Sequence, residues 1–220
     1  MENTGFERCL PQDIERRSFE IIEQELRGRG LLIDGETAFI TKRVIHASAD
    51  FDFARNMRYS EGCVPRALRC LRSGGAVIVT DTQMALSGVS KAAARRLGAS
   101  LHCFIADEDV AGLAEERGCT RAAAAMIKAA RFFAPAGQSL IVAVGNAPTA
   151  LLELARLHDE GLISPDLLVA VPVGFVNVVA AKELIVRSGI PHIAALGRKG
   201  GSTVAAAILN ALLYRAICPE

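Results

Sequence analysis

The chain has 220 residues, 51% of them apolar, and a formal net charge of +1. That length suits one domain, and the apolar share allows a full buried core. The near-neutral balance excludes a global basic field that would draw the chain to nucleic acid or anionic lipid, while leaving room for a local basic pocket. Aromatic residues make up 5%, with no Trp, so Ala, Val, Leu and Ile must carry the core. This is the composition of an α/β protein with closely packed helices, not of an aromatic-rich barrel.

The first twenty residues are polar and charged and lack the apolar core of a signal peptide, so a cytoplasmic protein is expected. Gln12 to Arg27 carries apolar residues at Ile14, Phe19, Ile21, Ile22 and Leu26 with charges between, the pattern of an amphipathic helix. Gly28 and Gly30 end it. A second helix is expected from Glu36 to His46, burying Ile40 and Val44. On it, Arg43 and His46 are three residues apart and share a face.

Short apolar runs then alternate with helical stretches. The runs are AVIVTD (76–81), SLHCFIAD (100–107), SLIVAVGN (139–146), LLVAVPVG (167–174) and HIAALG (192–197). Continuously apolar runs of this length read as strands buried on both faces. The stretches Ser90–Leu97, Thr120–Phe132, Pro148–Leu157, Asn177–Ser188 and Gly201–Tyr214 read as helices. The alternation predicts a three-layer α/β fold over residues 1–220: a mostly parallel, doubly wound sheet of about five strands with helices on both faces. Two uncharged runs, Ala134 to Leu152 and Leu167 to Ala181, are long enough to test as membrane spans. Gly, Pro and Asn break both, so each reads as a strand, a turn and a helix start.

Six cysteines (Cys9, Cys63, Cys70, Cys103, Cys119 and Cys218) are scattered without a C-x-x-C pair, the usage of reduced thiols. Adjacent His102 and Cys103 are poorly spaced for one zinc ion, and no second cluster supports them, so no metal site is expected. Of four histidines, His102 lies in a predicted strand, His158 at a helix end and His192 at a strand start. His46 alone has an arginine one turn away and Asp50 and Asp52 just after it. Local pattern leaves it as either a core histidine or an acid–base group.

Ligands of open parallel sheets bind beyond the carboxyl ends of the strands, which directs attention to four loops. They are TDTQMALSG (80–88), GNAPTAL (145–151), PVGFVN (172–177) and GRKGGS (197–202). In the last, Gly200 and Gly201 permit close backbone approach, a long helix follows, and Arg198 and Lys199 add two cations. That suits a carboxylate or phosphate. The spacing matches neither G-x-x-x-x-G-K-[ST] nor G-x-G-x-x-G, which disfavours a nucleotide-binding protein. Asn146 and Pro148 fit a helix cap and first turn, Asp81 or Thr82 can cap a short helix, and Ser18 is a solvent-facing or back-bonded helix serine.

Taken together, KRVIHASADFDFA, TDTQMALSG, TRAAAA, GNAPTAL, PVGFV and GRKGGSTVAAAILNALLY resemble the precorrin-8X methylmutase family of cobalamin biosynthesis, in order and at matching spacing. The likeness runs from IERRSF (14–19) to ALLY (211–214), and RVIH, ADFD, TDTQMALSG and the lysine of GRKGGS favour its anaerobic branch, cobalt-precorrin-8 methylmutase. The resemblance implies an isomerase that moves a methyl group from C11 to C12 of the corrin ring without an organic cofactor; any cobalt belongs to the substrate. It implies a homodimer with active sites near the subunit interface, and His46 as the catalytic residue. It places Ser18, Arg43, Thr80, Asp81, Thr82, Asn146, Ala147, Pro148, Thr149, Gly197, Arg198, Lys199, Gly200, Gly201 and Ser202 at the substrate. The chain departs from the family after PVGFV, where Ala180 and Ala181 replace a polar pair ahead of Lys182 and Glu183. Two other readings stay open: the cobalt-free substrate of the aerobic pathway, and a corrinoid-binding module without catalysis.

Overall fold

The structure, a computed structural model, describes residue 10 and residues 13–33, 35–133 and 137–218. Gln12 at the start of the first predicted helix, Ala134 at the start of an uncharged run, and Cys9 lie outside the described residues. The chain order is α1 (Ile14–Gly28), a 3-10 turn (Gly35–Thr37), α2 (Ala38–Ser48), α3 (Phe53–Asn56), β1 (Met57–Tyr59), α4 (Cys63–Arg72), β2 (Val77–Thr80), α5 (Gln83–Gly88), α6 (Lys91–Arg96) and β3 (Ser100–His102). It continues through α7 (Glu108–Arg117), α8 (Arg121–Phe133), β4 (Leu140–Val144), α9 (Pro148–Asp159), β5 (Leu167–Ala170), α10 (Val178–Arg187), β6 (His192–Ala195) and α11 (Ser202–Ile217).

Among the described residues, six strands form one sheet in the order β1-β6-β5-β4-β2-β3. Five are parallel; β1 alone runs antiparallel, against β6. The chain winds outward in both directions from β2 and β4, which makes their junction the topological switch point.

Strand side chains alternate between two apolar layers, as the pleat requires. Ile78, Ile141, Val169 and Ile193 face one layer, built with α1, α2, α4 and α11. Val77, Val79, Val142 and Leu168 face the other, built with α7, α8, α9 and α10. The expected three-layer, doubly wound architecture is therefore present, with six strands where the apolar runs indicated about five. The sixth, β1, is a three-residue edge strand paired through Met57 to Ala195 and Tyr59 to Ile193.

Other differences have local causes. The run 100–107 is strand only to His102, because β3 is an edge with a single partner, and the chain then turns through an Asp107 amide bond to the Phe104 carbonyl. His102 is only half-buried there, stacked on Phe104 and tilted against Phe133. The second helix starts later and ends later than expected, with a 3-10 turn over Gly35–Thr37 preceding it. Among the described residues, no helix is long and apolar enough to cross a membrane.

Candidate active site

The carboxyl ends of β2, β4, β5 and β6 all deliver loops to one edge, and α11 starts there. Two close approaches fix their packing. A Cβ on Gly145 would lie 2.8 Å from the Ser202 Cα, so the β4 loop touches the first residue of α11. A Cβ on Gly88 would lie 2.8 Å from the Ala206 Cβ, which seats α5 directly on α11. Gly200 is held more tightly still: a Cβ would lie 2.1 Å from the Val171 carbonyl oxygen.

Helix α2 packs along α11 and carries Arg43 and His46. Both reach the same ring of α1: His46 stacks on Phe19 at 5.2 Å between centroids, and the Arg43 guanidinium stands 4.9 Å over it. The face shared by Arg43 and His46 is thus real, and Phe19 is its floor. His46 itself is exposed, so in the isolated chain it is neither a core histidine nor enclosed in an apolar setting. Arg43 also lies 5.6 Å over Tyr214 and pairs with Glu15. It lines a cavity of about 390 Å³ together with Ala47, Met84, Ser202, Thr203 and Tyr214. A second cavity, of about 570 Å³, opens on the other side of Arg43 and Tyr214, beside Phe39 and Lys42.

The segment after His46 is tied to the β6 loop. Lys199 Nζ lies 2.6 Å from both Asp50 and Asp52 carboxylates. Those carboxylates hold the Lys199 ammonium above the usual lysine range. Burial works against the Asp50 charge, but its bond from Lys199 and the Asp52 amide bring its pKa below the ordinary value. Arg198 is exposed and stands 5.4 Å over the Phe175 ring.

Beneath the loops lie two buried charges. Asp81, 1% exposed, accepts from the amides of Gly145 (2.9 Å), Asn146 (2.8 Å) and Ala147 (2.9 Å). Burial raises its pKa, and the three amide donors oppose that rise. Lys182, fully buried on α10, donates to the carbonyls of Gly197 (2.9 Å) and Lys199 (2.8 Å). Burial pushes its ammonium down to about 8.

The remaining site residues fall as follows. Thr82 caps α5 by accepting from the Ala85 amide and bonds Ser202 at 2.8 Å, which joins the β2 loop to α11. Thr80 is buried and donates to the Thr82 carbonyl. Ser18 is back-bonded to Ile14. Pro148 occupies the first turn of α9, but the cap position is Ala147, with no side-chain cap; the expectation that Asn146 fills that role is corrected. Asp81 instead holds the amides just before the helix, those of Gly145, Asn146 and Ala147. Thr149 bonds Thr120, just ahead of α8, at 2.8 Å. Of the altered pair, Ala181 is buried in the core and Ala180 is exposed. No group of three or more His, Cys, Asp or Glu that could hold a metal occurs among the described residues.

A family model described as precorrin-8X methylmutase matches residues 13–215. The chain belongs to that family. It is an isomerase, a methylmutase acting on a tetrapyrrole of cobalamin biosynthesis. The cobalt-precorrin-8 methylmutase of Priestia megaterium is 43% identical over 202 residues, covering 92% of this chain and 87% of the relative. The precorrin-8X methylmutase of Pseudomonas aeruginosa is 37% identical, covering 91% and 94%. A crystal structure of the precorrin-8x methyl mutase from Thermus thermophilus superposes with a TM-score of 0.82 at 34% identity, covering 93% of this chain and 98% of that one.

Three residues of this candidate site were not singled out from sequence: Phe19, Tyr214 and Lys182. The first two had no signal beyond apolar periodicity. Lys182 did: it occupies the stripe Val178, Ala181, Lys182, Ile185 that α10 buries, where an apolar residue belongs.

Proposed function

We propose that the chain moves a methyl group from C11 to C12 of cobalt-precorrin-8 to give cobyrinate, with His46 as the acid–base group. The observation that carries this reading is the pairing of His46 and Arg43 over one aromatic ring, with Arg43 opening on the cavity at the start of α11. One C–CH3 bond breaks and one forms within the same molecule, so no oxidant or organic cofactor is needed; cobalt belongs to the substrate. Protonation of the ring system near the migrating group makes the receiving carbon electron-poor. A histidine, with an ordinary pKa of ~6.5, can give that proton and take it back at neutral pH.

The substrate is a flat apolar macrocycle rimmed by carboxylates, and both halves have a counterpart. Phe19, Tyr214 and Met84 offer apolar surface. Arg43, Arg198 and the start of α11 offer anion contacts, with Ser18, Thr80, Asp81, Thr82 and Lys199 shaping the surround. We infer that the whole chain acts as one domain, in the cytoplasm, and that a second copy completes the site. The exposure of His46, of Met84 (71%) and of Phe175 (81%) supports an incomplete enclosure in the single chain.

Incubation with cobalt-precorrin-8 and, separately, with cobalt-free precorrin-8X tests the reading by the appearance of the product's absorption spectrum. Turnover of the cobalt form is expected, and activity on the cobalt-free ring alone would overturn the branch assignment. His46→Ala should lower turnover by about 100-fold or more, the usual worth of a positioned proton donor. Unchanged turnover would remove His46 from the chemistry, and binding without any conversion by the parent would make the chain a corrinoid-binding module.

A further inference from the structure

Among the described residues, Lys182 is the largest side chain that the core encloses completely. A buried ammonium ordinarily has a carboxylate beside it, because removing a charge from water without one is costly. Among the described residues Lys182 has no such partner; its donors go to the carbonyls of Gly197 and Lys199. The charged groups of the surrounding elements that make ion pairs make them elsewhere. Glu183 and Arg187 of α10 pair with each other, Glu153 and Glu160 of α9 pair with Arg156, and Lys199 of the loop pairs with Asp50 and Asp52. Arg198 stands over Phe175, and His192 of β6 bonds the Ile190 carbonyl. Burial alone accounts for the lowered Lys182 pKa.

The orientation of the loop follows from this contact. In a trans peptide the C=O and the next N–H point in opposite directions. Lys182 draws in the carbonyls of Gly197 and Lys199, so the amides of Arg198 and Gly200 are aimed away from it. Those two amides have no acceptor among the described residues. The loop therefore presents outward donors in front of the first turn of α11, whose own amides are unsatisfied.

We propose that Lys182 is a positioning residue for the substrate: it turns the Gly197–Gly200 backbone so that its amides face the ligand, and its buried charge beneath the loop is balanced by a rim carboxylate of the corrin. This rests on the reading of the loop as a carboxylate site. Binding of the anionic ring and charging of Lys182 then reinforce each other, so affinity should fall as the lysine loses its proton. The ammonium titrates near 8, which puts that loss within reach of a binding assay.

The test is an absorbance titration with hydrogenobyrinate, the cobalt-free product, between pH 7 and pH 9.5, on the full chain. The parent should lose roughly tenfold in affinity across the upper part of that range. Lys182→Met should bind about tenfold more weakly at pH 7 and show a flat profile, and its KM should rise more than its kcat falls. Lys182→Gln keeps a donor without the charge; it should recover kcat but keep the flat profile. Equal affinity in the Met variant, or a parent-like pH profile in either folded variant, overturns the proposal. Should neither variant fold, the parent decides alone: affinity that is flat through pH 9.5 overturns it. A parent that binds no hydrogenobyrinate at all sinks the carboxylate-site reading itself, whereas a parent that binds as well as its Met variant sinks only the role of Lys182.

Discussion

The loops after β4 and β6 lie against each other at the start of α11, yet they are pinned by opposite charges. Asp81 gathers the amides of Gly145, Asn146 and Ala147, so that loop turns its donors inward. Its carbonyls are spent on the segment after β5, Val144 accepting from Val171 and Gly145 from Val173. Lys182 gathers carbonyls instead, and the β6 loop turns donors outward. The helix after the β4 loop starts with Pro148, which has no amide, and the amides just before it are held by Asp81; the helix after the β6 loop starts with amides that no side chain caps. Two glycine-containing loops ahead of two helices are thus not equivalent anion sites. A buried acid takes up the amides of one, and a buried base takes up the carbonyls of the other.

The largest effect expected from breaking this asymmetry is on folding. Asp81→Asn replaces an acceptor of three amides by a group with one oxygen and an NH2 that meets N–H donors. Leaving buried amides unsatisfied in this way should cost about 4 kcal/mol in urea unfolding. A loss below about 1 kcal/mol would mean that the β4 loop does not depend on the carboxylate.

The strands were legible because burial on both faces makes them continuously apolar, and β2, β4, β5 and β6 lie inside the runs that sequence marked. Strand β1 was not, because three residues are too few to show a period and its pairing is decided by β6. Helix α4 was readable in principle: Cys63, Val64, Ala67, Cys70 and Leu71 make an apolar stripe. Helix α7 was not, since Gly112 and five charges leave only Val110 and Ala114 to bury. For the site, sequence located the loops but not the direction of their peptides. That direction is set by Asp81 and Lys182, 64 and 15 residues from the loop atoms they hold, and no local pattern encodes it.

A smaller effect separates the two buried charges by pH. The folded-state pKa of Lys182 is lowered, so between about 8 and the ordinary lysine value near ~10.4 the unfolded chain binds more protons than the folded one. Stability contributed at this site therefore rises with pH through that window and is lowest below it. Buried thiols act in the opposite direction, because burial raises Cys63, Cys70 and Cys103. The informative quantity is the difference between parent and Lys182→Met, which cancels them. The parent should gain about 2 kcal/mol on the variant between pH 8 and pH 10. A constant difference would show that Lys182 keeps an ordinary lysine pKa when buried.

The smallest expected effects compare the loops as binding surfaces. Arg198 is an exposed cation on the loop whose amides face outward, so Arg198→Ala should weaken hydrogenobyrinate binding by about fivefold, more at low salt than at high. Asn146 is also exposed, but it stands on the loop whose amides are already taken, and only its side chain is left to reach a ligand. Asn146→Ala should change affinity by no more than about twofold. The salt dependence matters as much as the ranking, since a carboxylate contact at Arg198 weakens with ionic strength and a packing contact through Phe175 does not. Should Asn146→Ala prove the more damaging substitution, the carboxylate rim would lie over the β4 loop, and the division of labour set by Asp81 and Lys182 would have to be reversed.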